Sequence, residues 1–241
     1  MQYLDATLST PEENLALDEA LLTTREEGLG EEVLRFWEPQ QHFVVLGYSK
    51  KVKAEVNERA CDAKRIPILR RHSGGGTVLQ GPGCLNYSLI LRIGKAGPLS
   101  TISGTNSFIM RRQRDAARTM LGNHVHIQGH TDLAIGGMKF SGNAQRRKEI
   151  HLLFHGTFLL HFDIALAQEV LAIPSRQPSY RSNRSHVDFM TNLNVDANKI
   201  KEILQRTWQA NQQIQEEEIP LDRITELVRG RYSQRAWNYK V

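Results

Sequence analysis

Cysteine is scarce in this chain of 241 residues, which holds only Cys61 and Cys84. With no Cys-x-x-Cys spacing, the pair argues against a disulfide framework and against a zinc site. Nor do the nine histidines include a His-Glu-x-x-His pairing. No apolar run approaches the ~20 residues that a membrane-spanning helix needs, so no membrane association is expected. Met1-Gln2-Tyr3-Leu4-Asp5 lacks a basic stretch leading into an apolar one, so no secretory signal is read and the expected location is cytoplasmic. Aromatics make up 7% and do not alternate with basic residues as they do in single-strand nucleic-acid binders. Basic residues do cluster, at Arg111, Arg112, Arg114 and Arg118, at Arg146, Arg147 and Lys148, and at Arg176, Arg181 and Arg184. Without an accompanying nucleic-acid motif, the first cluster reads as the solvated face of a helix, and no nucleic-acid partner is expected.

What is present is an ordinary globular composition, 40% hydrophobic and 24% charged with a net charge of +5. Thr10-Pro11-Glu12-Glu13 is a helix start: a Thr N-cap, Pro at the first helical position and Glu at the third. Leu34–Trp37 and His42–Leu46 read as strands of a hairpin around Glu38-Pro39-Gln40-Gln41. A helix is expected across Val52–Lys64, strands within Ile66–Leu91 and His124–Leu160, and a helix over Ser103–Leu121 between them. Further helices are expected at Ile164–Leu171, Asp196–Ile214 and Leu221–Arg229. This mixture predicts an α/β (α+β) fold with a mixed β-sheet flanked by helices.

Three stretches carry the chemistry. Arg70-Arg71-His72-Ser73-Gly74-Gly75-Gly76-Thr77-Val78 sets three glycines between two apolar strand-like segments. They form either a flexible turn with two solvated arginines or a bare run of N–H donors for an anionic or carbonyl-bearing ligand. Strand alternation places Arg70 and Arg71 on opposite faces, and Arg70 is favoured for the ligand. In Asp132–Gln145, Gly136-Gly137 is a two-residue hairpin signal, with Lys139 opening the returning strand. Leu153–Leu160 is an apolar strand interrupted by His155-Gly156-Thr157, polar residues that either satisfy one another or line a pocket.

In this order and spacing the three stretches resemble the lipoate–protein ligase A family, within the biotin/lipoate protein ligase and lipoyltransferase superfamily. The resemblance extends to Asn14-Leu15-Ala16-Leu17-Asp18-Glu19-Ala20 and to the basic run Ser175–Arg184, covering roughly residues 1 to 195. It implies a class II synthetase or biotin ligase-like sheet, and a single catalytic domain over residues 1–241 without a C-terminal accessory domain. ATP would activate lipoate or octanoate to an acyl-AMP, and a lysine of a lipoyl-acceptor protein would take the acyl group. Acceptors of this kind are 2-oxoacid dehydrogenase E2 or glycine cleavage H protein, and a separate small accessory protein is a second expected partner.

Both steps gather negative charge on neighbouring oxygens, so fixed positive charge and N–H donors matter more than a nucleophile. The resemblance gives that role to Lys139, set against the alternative of a snorkelling surface lysine. It gives Arg70, Arg71, Ser73, Gly74, Gly75, Gly76, Asn86, Ser141, Ala144, His155, Gly156 and Thr157 to acyl-adenylate binding. Asp132 would meet the adenylate end and touch Mg2+, or else merely cap a turn. Thioester-using relatives carry a cysteine three residues before the His of the His-Gly pair, where Leu152 stands here, or within His124–Asp132, which has none.

Overall fold

The structure is a computed structural model and describes residues 1–174 and 176–240. Eleven strands are present among them: β1 (Gln2–Asp5), β2 (Val33–Trp37), β3 (Phe43–Leu46), β4 (Ile68–Arg70), β5 (Val78–Gln80), β6 (Cys84–Arg92), β7 (Val125–Gln128), β8 (Asp132–Ile135), β9 (Met138–Arg147), β10 (His151–Leu159) and β11 (Gln212–Gln213). Eight form one mixed sheet in the order β11-β1-β2-β6-β10-β9-β8-β7, and three form a small sheet in the order β4-β3-β5. The mixed sheet flanked by helices agrees with the expected fold class. Among the described residues no helix is long and apolar enough to cross a membrane.

Alternation along the central strands creates two unlike faces. Leu34 and Phe36 of β2, Leu89 and Leu91 of β6, and Leu152 and Phe154 of β10 join one core with Ile109, Ile200 and Trp208 from the helices Ile102–Leu121 and Ala197–Trp208. On the other face, Val33, Ile90 and Leu153 pack with Leu15, Leu17 and Leu21 of the helix Pro11–Glu26 and with Val45 and Leu69 of the small sheet. Polar residues interrupt this second face in rows. Arg35 pairs with Ser88, Ser88 with His155 and His155 with Ala144; beside them Asn86 pairs with Thr157 and Thr157 with Gly142. That patch is the floor of the site.

Some expectations are corrected. β2 and β3 are not a hairpin: β2 lies between β1 and β6 in the large sheet, and β3 pairs with β4 and β5 in the small one. Both strands are buried along their whole length, so each needs covering partners on both sides rather than each other. The helix expected across Val52–Lys64 is broken into Val52–Glu55 and Glu58–Ala63, because Val56 turns extended to bridge Leu171. The start at Thr10 is a full capping box, its hydroxyl accepting from Glu13 N at 3.2 Å and Glu13 Oε2 accepting from Thr10 N at 2.9 Å.

Candidate active site

A cleft of about 650 Å³ lies between the polar floor and the triple-glycine segment. A smaller chamber of about 110 Å³ adjoins it, sharing Thr77, Val78, Gln80, Lys139, Gly142 and Thr157. Lys139 therefore stands at the junction of the two. Its strand returns through Gly136 and Gly137, both at positive φ (57° and 76°), as a two-residue hairpin turn requires. The ammonium is a quarter exposed and pairs with Asp132 Oδ1 at 2.8 Å. It crosses above Gly142, where any Cβ would collide with it.

Asp132 is spoken for on its other side as well. Tyr180 OH donates to Oδ2 at 2.8 Å, bringing the basic loop onto the β8–β9 hairpin. Thr191 N donates to Lys139 O at 2.9 Å, and Arg184 Nη2 to Gly137 O at 2.9 Å. Arg181 of this loop and His186, which follows it, reach the chamber wall almost fully buried, as does Ser141. Arg181 Nη2, His186 Nδ1 and Ser141 Oγ have no hydrogen-bond partner, which is uncommon for buried polar atoms and marks a place where a polar ligand would be accommodated. Burial, with Arg181 and Lys139 nearby, pulls His186 down to about 4, so it is neutral at pH 7. Ser175, at the start of the basic run, lies outside the described residues.

The two arginines part company, as alternation requires, but in the opposite sense to the one favoured. Arg70 is fully buried away from the cleft and donates to the carbonyls of Gly47, Tyr48, Lys50, Trp237, Asn238 and Lys240. All its donors are consumed by main chain, so it has none for a ligand. Arg71 lines the cleft. Its guanidinium donates to Ser73 Oγ, Gly74 O, Gly76 O and Val45 O, and burial pulls it down to about 10, still charged at neutral pH. Arg70→Met should consequently lower the thermal midpoint while leaving KM for the acid substrate near the wild-type value. A parallel comparison with Arg71→Met, which should raise that KM, checks the division of labour.

Gly75, Gly76, Asn86, Ala144, His155, Gly156 and Thr157 all line the cleft, whereas Ser141 lines the chamber. Ser73 is fully buried behind the lining and Gly74 faces solvent, so neither wraps a ligand as expected. Asn86, Gln80 and Thr157 close a hydrogen-bonded triangle in the floor: Gln80 Nε2 to Thr157 Oγ1 at 2.8 Å, Asn86 Nδ2 to Gln80 Oε1 at 3.0 Å and Thr157 Oγ1 to Asn86 Oδ1 at 2.5 Å.

The sequence profile of the lipoyl protein ligase A/B catalytic domain matches residues 10–215. The chain belongs to this family. It is 26% identical to lipoate–protein ligase 1 of Staphylococcus aureus, over 96% of this chain and 71% of that one. It is 24% identical to the octanoyltransferase LipM of Anoxybacillus flavithermus, over 99% and 98%. Among solved structures, a lipoate–protein ligase A bound with ATP superposes with a TM-score of 0.77 at 25% identity, covering 99% of each chain. The ligase of a bi-partite lipoylation system from Thermoplasma acidophilum shares the fold, with a TM-score of 0.80 at 23% identity over 99% of this chain and 95% of that one. Like these relatives, the protein is an enzyme.

Within the family fold, several residues of the site escaped sequence reasoning. Asp18 lies on the apolar stripe of its helix, between Leu15 and Leu22, and is buried against Arg35 at 2.5 Å. A carboxylate on a buried helix face and an arginine inside Val33–Trp37 were the available signals, each needing a partner that the sequence does not name. Tyr180 and His186 carried no local signal at all.

Proposed function

We propose that the protein is an ATP-dependent lipoate–protein ligase. Lipoate or octanoate attacks the α-phosphorus of ATP, pyrophosphate leaves, and the acyl-AMP passes its acyl group to an acceptor lysine with loss of AMP and a proton. The observation that carries the reading is Lys139 at the junction of cleft and chamber, with no cysteine among the described lining residues. Lys139 neutralises the acyl oxygens and the α-phosphate as their charges draw together. Arg71 and the Gly75–Gly76 main chain hold the carboxyl end; Asn86, Ala144, His155, Gly156 and Thr157 border the acyl group. The nucleotide enters the chamber, where Arg181, Ser141 and neutral His186 have polar atoms to spare.

Cys61 and Cys84 are both buried, and burial pushes their thiols up to about 11 and about 12. Neither supplies the thiolate that a thioester route needs. Mg2+ would come in on the ATP phosphates. Asp132 does not fit as its direct ligand, since Lys139 and Tyr180 occupy its oxygens, and no group of three metal-ligating side chains occurs among the described residues. The acceptor is a lipoyl-domain protein such as a 2-oxoacid dehydrogenase E2 or the glycine cleavage H protein. The catalytic domain spans the chain, and a separate small protein assists activation, as the two-part system of the Thermoplasma relative suggests.

Full-length coverage of LipM favours one second reading, transfer of octanoyl groups without ATP. Lipoate-dependent exchange of labelled pyrophosphate into ATP is the deciding measurement. Exchange is expected, with a partner added where one is required. Its absence in every combination, together with acceptor acylation from preformed acyl-AMP or from an octanoyl carrier protein, would sink the ligase reading in favour of a transferase.

A further inference from the structure

An unbroken hydrogen-bonded chain runs beneath the cleft from the first helix to the glycine segment. Arg35 Nη1 holds Asp18 Oδ1 at 2.5 Å, and Ser88 Oγ donates to Asp18 Oδ2 at 2.7 Å. That same Oδ2 lies 3.3 Å from His155 Nδ1, and His155 Nε2 lies 2.6 Å from Ser73 Oγ. Arg71 Nε then donates to Ser73 Oγ at 3.0 Å and to Gly74 O at 3.1 Å, while Arg71 Nη2 donates to Gly74 O and Gly76 O at 2.6 and 2.8 Å.

The direction of the chain follows from its ends. Asp18, ion-paired with Arg35, is an acceptor only, so the imidazole must donate through Nδ1. In the neutral ring Nε2 is then an acceptor, and Ser73 has to donate to it. The Ser73 hydroxyl spends its one hydrogen there and accepts from Arg71 with a lone pair. Reversing the tautomer would aim two N–H groups, from His155 and Arg71, at a serine whose own hydrogen no longer has a partner in the chain.

Serine, histidine and aspartate in this order resemble a nucleophilic triad, but Ser73 is fully buried and absent from the cleft lining. No acyl carbonyl reaches it. What the chain can do is hold shape: it anchors Arg71, and Arg71 ties the carbonyls of Gly74 and Gly76 so that the glycine main chain keeps a fixed face toward the cleft.

We propose that Asp18 and Ser73 are positioning residues for acyl transfer, acting through the His155 tautomer and Arg71 to hold the triple-glycine segment in its ligand-binding form. This rests on the reading of the cleft as the acyl site. Asp18→Asn and Ser73→Ala should each raise KM for the acid roughly tenfold, the scale of one lost buried hydrogen bond, with kcat falling less. Asp18→Glu, which keeps the carboxylate, should restore much of the loss.

Two readouts are independent of turnover. Imidazole 15N shifts of the wild-type protein should show His155 protonated on Nδ1, and the hydrogen should move in Asp18→Asn. Amide exchange at Gly74–Gly76 should quicken roughly tenfold in Ser73→Ala. Ser73→Ala leaves the Arg35–Asp18 pair intact and serves if Asp18→Asn fails to fold. An Nε2–H tautomer in the wild-type protein, or unchanged glycine exchange in Ser73→Ala, would overturn the proposal. Wild-type protein inactive with every acyl donor would overturn the acyl-transfer reading instead, while the nitrogen shifts and glycine exchange still decide the relay.

Discussion

Replacing Lys139 with Met is expected to slow acyl transfer by about 10²–10³, the usual loss when one preorganised charge is removed from a developing oxyanion. The side chain is a quarter exposed and its ion-pair partner is Asp132. A partly exposed pair contributes about 1 kcal/mol or less, so the thermal midpoint should hardly move. Asp132 would keep its bond from Tyr180, so the basic loop should stay on the hairpin. Single-turnover acylation of an acceptor domain, followed by mass spectrometry, separates this from a folding defect. Wild-type acylation by folded Lys139→Met protein would remove Lys139 from the mechanism.

The second large effect is on stability. Arg35 is fully buried; besides Asp18 it reaches Asn14 O at 2.9 Å, Asn14 Oδ1 at 2.8 Å and Ala6 O at 3.2 Å, with its guanidinium 5.3 Å from the Trp37 ring centre. Arg35→Met leaves the Asp18 carboxylate buried without its counter-ion, which costs about 3–5 kcal/mol. For a chain of this size that lowers the thermal midpoint by roughly 6–20 °C. Desolvation raises the Asp18 pKa, but Arg35, His155 and Ser88 outweigh it and hold the carboxyl at about 2, against an ordinary 3.8. Its folded-state pKa being depressed, Asp18 contributes stability above the ordinary value and loses it as pH falls toward 2. Denaturant titrations across that window should show the acid loss in the wild-type protein and a smaller one in Arg35→Met. Equal neutral-pH stabilities would show that the pair carries no net weight.

How far the site was legible depended on the range of each signal. The Thr10 capping box, the Gly136-Gly137 turn and the place of Lys139 at the head of its strand are set by residues within a few positions of one another. Alternation correctly put Arg70 and Arg71 on opposite faces, yet nothing local tells which face meets the cleft. That was decided by Trp237, Asn238 and Lys240, whose carbonyls occupy Arg70 from the far end of the chain. The supposed hairpin of β2 and β3 failed for a related reason: periodicity identifies a strand without naming its neighbour.

From the sequence alone came the family, the mixed α/β class and most of the polar positions bordering the cleft, because glycine turns, caps and side-chain alternation are short-range consequences of backbone geometry. Tertiary structure alone decided that Arg71 rather than Arg70 faces the cleft, that Asp132 holds Lys139, and that Asp18, His155 and Ser73 form one chain. Those facts depend on pairing between strands and helices remote in sequence, and a buried charge takes its role from whatever partner folding brings within about 3 Å.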